Sequence, residues 1–334
     1  MPEPSRPPRQ ALFTAAGAAV LLAVALALPR FQNPYQLLTF TRFLLLAAMA
    51  QGWNFIGGYA GFAAFGNVAF FGIGAYATGL AMLSAWHVPF FPALAFGSLV
   101  AAVTAALVGA LVLRLKGHYF AIATLGVAEA LREIADSWDD LTNGSTGLDL
   151  PIREPGAFFY YTALALVVAG LVVTRLLAPS KMGLAWMAIR EDQDAARTLG
   201  IHATPYKVAA FALSAVFAAL AGGVTAYQNI HVTPTDFFKL QYTLEMIIAC
   251  IIGGAGTVLG PVLGAAVYQV LSTYAWSRFI ELHPTVLGLV IIFFVIFAPR
   301  GLMQAFGATW RMAKGERRFR WTDLVANVRV NRVT

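Results

Sequence analysis

The sequence predicts an all-α polytopic membrane protein with about ten transmembrane helices, and three observations carry that prediction. The 334 residues are 59% hydrophobic and 12% charged, with a mean hydropathy of +0.70, far from the usage of soluble domains. Apolar runs of about 20 residues, enough to cross a hydrocarbon layer as helix, recur along the chain between short polar stretches. Lys and Arg gather in alternate connections, which marks one side of a membrane rather than one face of a soluble fold.

Reading apolar runs between charges and Gly/Pro breaks places spans at residues 11–29, 35–57, 64–84, 90–113, 118–137, 157–176, 207–228, 242–256, 261–278 and 284–299. An even count puts both termini on one side. If that side is cytoplasmic, seventeen of the 23 Lys and Arg residues fall inside against four outside: Arg30, Arg153, Lys239 and Arg278. The expected division is an N-terminal cytoplasmic segment 1–10, a membrane domain 11–302 and a basic cytoplasmic tail 303–334, read as a solvated extension that can touch anionic lipid.

The first span follows Arg6 and Arg9 and ends in ALALP, as a cleaved signal would, but its apolar run exceeds the usual central region of a signal, so it is read as a retained helix. The formal charge of +7 invites a nucleic-acid reading, which the sorting of the basic residues by topology argues against. The lone Cys250, inside an apolar run, rules out a disulfide or cysteine metal site within one chain. The five histidines are scattered without HExxH spacing, and GxSxG is absent, so no enzyme chemistry is expected.

Two loops are long. Residues 138–156, WDDLTNGSTGLDLPIREPG, are rich in turn formers and are expected outside. The inner loop 177–206 is expected to carry a short helix: Glu191, Asp192 and Asp194 load its front, Arg197 sits in its last turn, Gly200 supplies a left-handed cap and Pro205 prevents continuation. Ala195 and Ala196 give it a flat patch for close approach. Such a helix suits docking into a cleft of another protein, with a solvated connector as the alternative.

Glycines recur every four residues at Gly57 and Gly61 and again at Gly256, Gly260 and Gly264, a spacing that lets helix backbones pack closely in lipid. GGAGTVLG lacks the GK[ST] ending of a phosphate loop, so the chain itself is expected to bind no nucleotide. Arg42, Asn67, Glu129, Arg132 and Glu245 fall at membrane depth, where polar groups need a cavity or a partner, and are therefore pathway candidates. Glu129 and Arg132, three residues apart, can also pair with each other.

Six stretches then occur in order: GYAGFAAFGNVAFFGIGAYATG (58–79), LRLKGHYFAIATLGVAEALRE (113–133), LTNGSTGL (141–148), GLAWMAIREDQDAARTLGI (183–201), IIGGAGTVLGPVLGA (251–265) and FAPRGL (297–302). Together they resemble the branched-chain amino acid ABC transporter permease family, specifically its LivM-type subunit. The resemblance implies a ten-helix importer permease in the bacterial inner membrane. It also implies a second, LivH-type permease, two cytoplasmic ABC ATPase subunits carrying ATP and Mg, and an extracytoplasmic solute-binding protein.

By position, Arg190 to Gly200 resembles the helix that couples to an ATPase, and Phe71 and Tyr76 join the pathway candidates. Phe62, Ala64 and Asn67 replace more polar family residues, while Glu245 falls where many relatives carry a carboxylate. A less polar pathway suits branched-chain or other small apolar amino acids. Urea, short amides and other small acids are the alternative cargoes, and an ion-coupled secondary transporter is the alternative mechanism.

Overall fold

The computed structural model describes residues 22–278, apart from 85–86, 116 and 152–153, together with 288 and 301–303. The expected span 284–299 lies outside the described residues except for Gly288. Of the expected span 11–29, residues 22–27 are helical and run into a single turn, Leu28–Arg30.

Ten labelled helices follow. They are α1 (Pro34–Trp53), α2 (Asn67–Leu83), α3 (Phe90–Val112), α4 (His118–Ser137), α5 (Gly156–Leu177), α6 (Lys181–Glu191), α7 (Gln193–Thr198), α8 (Ala203–Asn229), α9 (Leu240–Gly253) and α10 (Gly260–Arg278). Their limits agree with the apolar runs to within a few residues. The helices α3, α5 and α8 have both the length and the apolarity to cross a bilayer. Pro34 and Asn33 start α1 through a capping box with Gln36, and α1 ends by widening into a π-helical turn, Asn54–Tyr59.

The long helix α8 is the hub, packing against α2, α3, α1 and α5. Its second half reads AALAGGVTAY, and small side chains let its backbone meet α2 directly: a Cβ on Gly222 would collide with the carbonyl of Phe71. Aromatic rings fill what the small residues leave, with Phe71 stacked on Tyr242 at 4.5 Å between centroids and Phe90 on Tyr227 at 4.9 Å. The helices α9 and α10 form a pair that leans on α1.

At one end of the bundle, the loop after α4 and the loop after α8 pair as a small antiparallel ribbon, β1 (Leu148–Asp149) with β2 (His231–Val232). The stretch expected as turns does turn: Asn143 takes a left-handed φ of 56°, and its Nδ2 donates to the Gly147 carbonyl at 3.2 Å. At the opposite end lie α6 and α7. By contrast with the packed bundle, α4 buries only one stripe, Phe120, Thr124, Ala128 and Ala135, and turns the rest of its surface outward.

Candidate functional site

The inner loop holds two helices rather than one. Asp192 adopts an extended conformation (φ −157°, ψ 113°) that ends α6, and its Oδ1 accepts from the N–H groups of Asp194 at 2.8 Å and Ala195 at 2.9 Å. The acid expected to load a helix front is therefore the cap of α7, and Arg190 and Glu191 belong to the preceding helix. The C-terminal end of α7 follows the expectation closely. Gly200 has a φ of 82°, its N–H reaches the Arg197 carbonyl at 3.0 Å, and the Ile201 N–H reaches the Ala196 carbonyl at 3.1 Å, the two bonds of a Schellman ending.

The two alanines of the expected flat patch face opposite ways. Ala196 is buried against Ile189 and Ala203, whereas Ala195 is exposed. Leu199, four residues after Ala195 and thus on its face, is 79% exposed. The outward surface of α7 is therefore Ala195 and Leu199 flanked by the Asp194–Arg197 pair at 3.1 Å. Leu199 carries no signal of its own in the sequence because it falls at the cap position, past the charged run.

Three side chains tie this loop to the bundle. Trp186, fully buried, donates from Nε1 to the Tyr206 carbonyl at 2.7 Å. Lys207, 3% exposed, points its ammonium at the Leu113 carbonyl ending α3, at Gln193 Oε1 of α7 (3.3 Å) and over the Phe62 ring at 4.6 Å. Arg190 donates from Nη1 to the carbonyl of Gly58 at 2.6 Å. Lys207 counted only as a topology charge in the sequence; its place just after Pro205, opening an apolar helix, is the signal that it is held inside.

The π-turn is also fastened to the α9–α10 connection. Asn54, fully buried, donates from Nδ2 to the Thr257 carbonyl at 2.9 Å and accepts at Oδ1 from the Gly256 N–H at 2.7 Å. The repeated glycines consequently differ in role. Gly264 lies at a helix crossing, where an added Cβ would strike the Ala249 carbonyl, as the spacing implied. Gly260 opens α10 beside Thr257, and Gly57 faces the Trp53 indole one turn back. Gly61 and Gly256 lie outside helices, both with a φ of 79°, so the four-residue spacing there does not describe a helix face.

The membrane-depth polar residues do not converge on one site. Asn67 is fully buried at the start of α2 and donates to Ser214 Oγ of α8, while the neighbouring Val68 N–H reaches Thr243 Oγ1 at 2.9 Å. That is an interhelical clamp with no exposed surface to offer a solute. Phe71 is fully buried in the aromatic stack, and the Tyr76 hydroxyl donates to the Val232 carbonyl at 3.2 Å. Tyr76 also borders an apolar groove of about 900 Å³ between α2, α3 and α4, walled by Ile73, Leu80, Phe96, Leu131 and Ile134.

Glu129 and Arg132 make the expected pair, Arg132 Nε donating to Glu129 Oε1 at 2.9 Å, and Glu133 joins it at 3.3 Å. The pair lies on the outward face of α4, where the Glu129 side chain is 67% exposed. Glu245 has a partner one turn back on its own helix, accepting from Gln241 Nε2 at 2.8 Å, and Tyr268 of α10 and Arg42 of α1 lie close enough to act on its carboxyl. Among the described residues no cluster of three or more His, Cys, Asp or Glu could hold a metal ion.

The family described as "branched-chain amino acid transport system / permease component" matches residues 35–296. A relative in Salmonella typhimurium, the high-affinity branched-chain amino acid transport system permease protein LivM, is 30% identical over 89% of this chain and 76% of its own length. The LivM protein of Escherichia coli K12 is 31% identical over 88% and 75%. The autoinducer 2 import system permease protein LsrC of Salmonella typhi is 29% identical over 54% of each chain. No solved structure matches significantly.

Proposed function

The chain belongs to the branched-chain amino acid transport permease family, and on that premise we propose that it is the membrane subunit of an ATP-driven importer for branched-chain or other small apolar amino acids. It pairs with a second permease around the solute pathway, sits in the bacterial inner membrane with both termini cytoplasmic, and receives work from two cytoplasmic ATPase subunits. Solute arrives from an extracytoplasmic binding protein. ATP and Mg belong to the ATPase subunits, and this chain carries out no hydrolysis.

The observation that carries the reading is the build of α7. A six-residue helix is capped at both ends, presents Ala195 and Leu199 outward, and is tied through Gln193 and Lys207 to the end of α3. A solvated connector needs none of these fastenings. A helix that takes a push from a partner and moves the bundle needs all of them, because a ligand shifts an equilibrium only through contacts that differ between the two states. The outward face of α4, with Glu129 and Arg132, and the Arg42–Glu245–Tyr268 cluster between α1, α9 and α10 are the surfaces offered to the second permease and the pathway.

The test is reconstitution in proteoliposomes of this chain with the permease, ATPase and binding-protein subunits proposed as its partners. Leucine uptake should require ATP, and Ala195→Trp should reduce it at least tenfold by blocking the docking face. Uptake that runs on an ion gradient without ATP, or that ignores Ala195→Trp and Leu199→Asp together, would sink the coupled mechanism. Competition by urea or short amides in place of leucine and valine would reassign the cargo and leave the mechanism intact.

A further inference from the structure

We infer that Arg190 is the positioning residue that transmits displacement of α7 into the membrane helices, by acting as a strut seated in a slot made of three glycines. The inference rests on the proposed function above and adds the route by which the push travels. The slot is built from two separate sequence stretches. The Gly58 carbonyl, inside the π-turn that ends α1, accepts from Arg190 Nη1 at 2.6 Å. An added Cβ on Gly61 would lie 2.7 Å from Arg190 Cγ, and one on Gly256 would lie 3.0 Å from its Nη1. Glycine at both places leaves the guanidinium room to reach the backbone.

The slot is where three moving parts meet. Arg190 is the second-last residue of α6, two before the Asp192 break that begins α7. Gly58 is continuous with α1, and Asn54 of the same π-turn grips Gly256 and Thr257 of the α9–α10 connection. A shift of α6 thus reaches α1 and the α9–α10 pair through one side chain. Among the described residues Arg190 joins no ion pair, and its guanidinium makes a charge-assisted bond to the Gly58 carbonyl. A π-helical turn inside an α-helix is a feature that recurs at functional sites, which suits the receiving end of a strut.

The experiment uses the complete transporter in proteoliposomes and reads solute imported per ATP hydrolysed, which a merely structural role would leave unchanged. Arg190→Ala should retain the ATPase subunits and keep hydrolysis within about twofold, while uptake per ATP falls about tenfold, a usual size for coupling between sites. Arg190→Lys, which keeps a cationic donor, should recover part of the ratio. Gly61→Ala should lower it by crowding the arginine stem, and adding Arg190→Ala to Gly61→Ala should cost little more, as expected for two changes that break one interaction.

An unchanged ratio in Arg190→Ala overturns the inference alone. So does joint loss of assembly and uptake that Arg190→Lys fails to restore, since that is the mark of a fold-maintaining residue. If the unaltered chain purifies without ATPase subunits and transports without ATP, the proposed function fails and the strut fails with it.

Discussion

The ammonium of Lys207, at the start of α8, donates to the carbonyl of Leu113 at the end of α3. It thereby satisfies a carbonyl that helix geometry leaves without an internal partner, and it does so from a buried position over the Phe62 ring. Removing the donor while keeping the apolar stem, in Lys207→Met, leaves that carbonyl unpaired. The expected cost is about 1–3 kcal/mol, read as a lower unfolding temperature of the detergent-solubilised protein. An unchanged or raised temperature would show that water reaches the carbonyl and that the lysine is dispensable.

Asn54→Leu should be destabilising by a larger margin for the same reason: the side chain volume is kept, but both the Gly256 N–H and the Thr257 carbonyl lose their partner. Two buried backbone groups orphaned together cost about 2–5 kcal/mol. Proteolysis confined to the α9–α10 connection would be the signature, and a variant as resistant as the parent would refute the clamp.

Gly222→Val is expected to abolish accumulation of folded protein, because the branched side chain would drive α8 away from the Phe71 carbonyl of α2. Overpacking a close crossing costs about 1–3 kcal/mol even where the surroundings yield, and backbone yields less readily than side chains. Membrane-fraction yield against the unaltered chain is the measurement.

Near the ribbon, hydrogen bonds from Lys239 and Thr233 hold the Asp236 carboxyl below its ordinary pKa. A depressed acid contributes stability that is present above its unfolded pKa of about 4 and is lost as pH falls through the lowered folded value. Amide protection in residues 233–239 should therefore weaken on acidification below pH ~4 and stay level at neutral pH. Asp236→Asn should flatten that dependence; an equal response in both proteins would show that another group governs the loop.

Glu129→Gln separates two roles for the outward face of α4. An exposed pair such as Glu129–Arg132 is worth about 0–1 kcal/mol, so folding and yield should hardly change. Uptake should fall if that face meets solute or the second permease. Wild-type uptake would leave the pair as surface electrostatics.

Much of the bundle is written locally. Apolar runs placed the long described helices to within a few residues because such helices need length and composition, which one stretch of sequence contains. The Schellman ending at Gly200 was legible for the same reason, being a property of a few consecutive residues. What could not be read is long-range. Asp192 can load a helix front or cap it, and which it does depends on where α6 stops. The glycine repeat at Gly57 and Gly61 carries helix-packing spacing, yet Gly61 serves a side chain 129 residues away in sequence, Arg190, with Gly256 opposite. Asn67 and Glu245 stand out in the sequence as costly polar positions; Ser214, which pairs with Asn67, and Tyr268, beside Glu245, come from other helices, and no periodicity announces them.

Six residues are too few to hold a helix in water unaided. That α7 stands formed, with Asp192 closing one end and Gly200 the other, means the conformational entropy of those residues, about 1–2 kcal/mol each, has already been met in the folding of the chain itself. A partner that grips Ala195 and Leu199 has no disordered loop to organise. A small contact of that kind can bind tightly for its area and transmit force without first taking up slack.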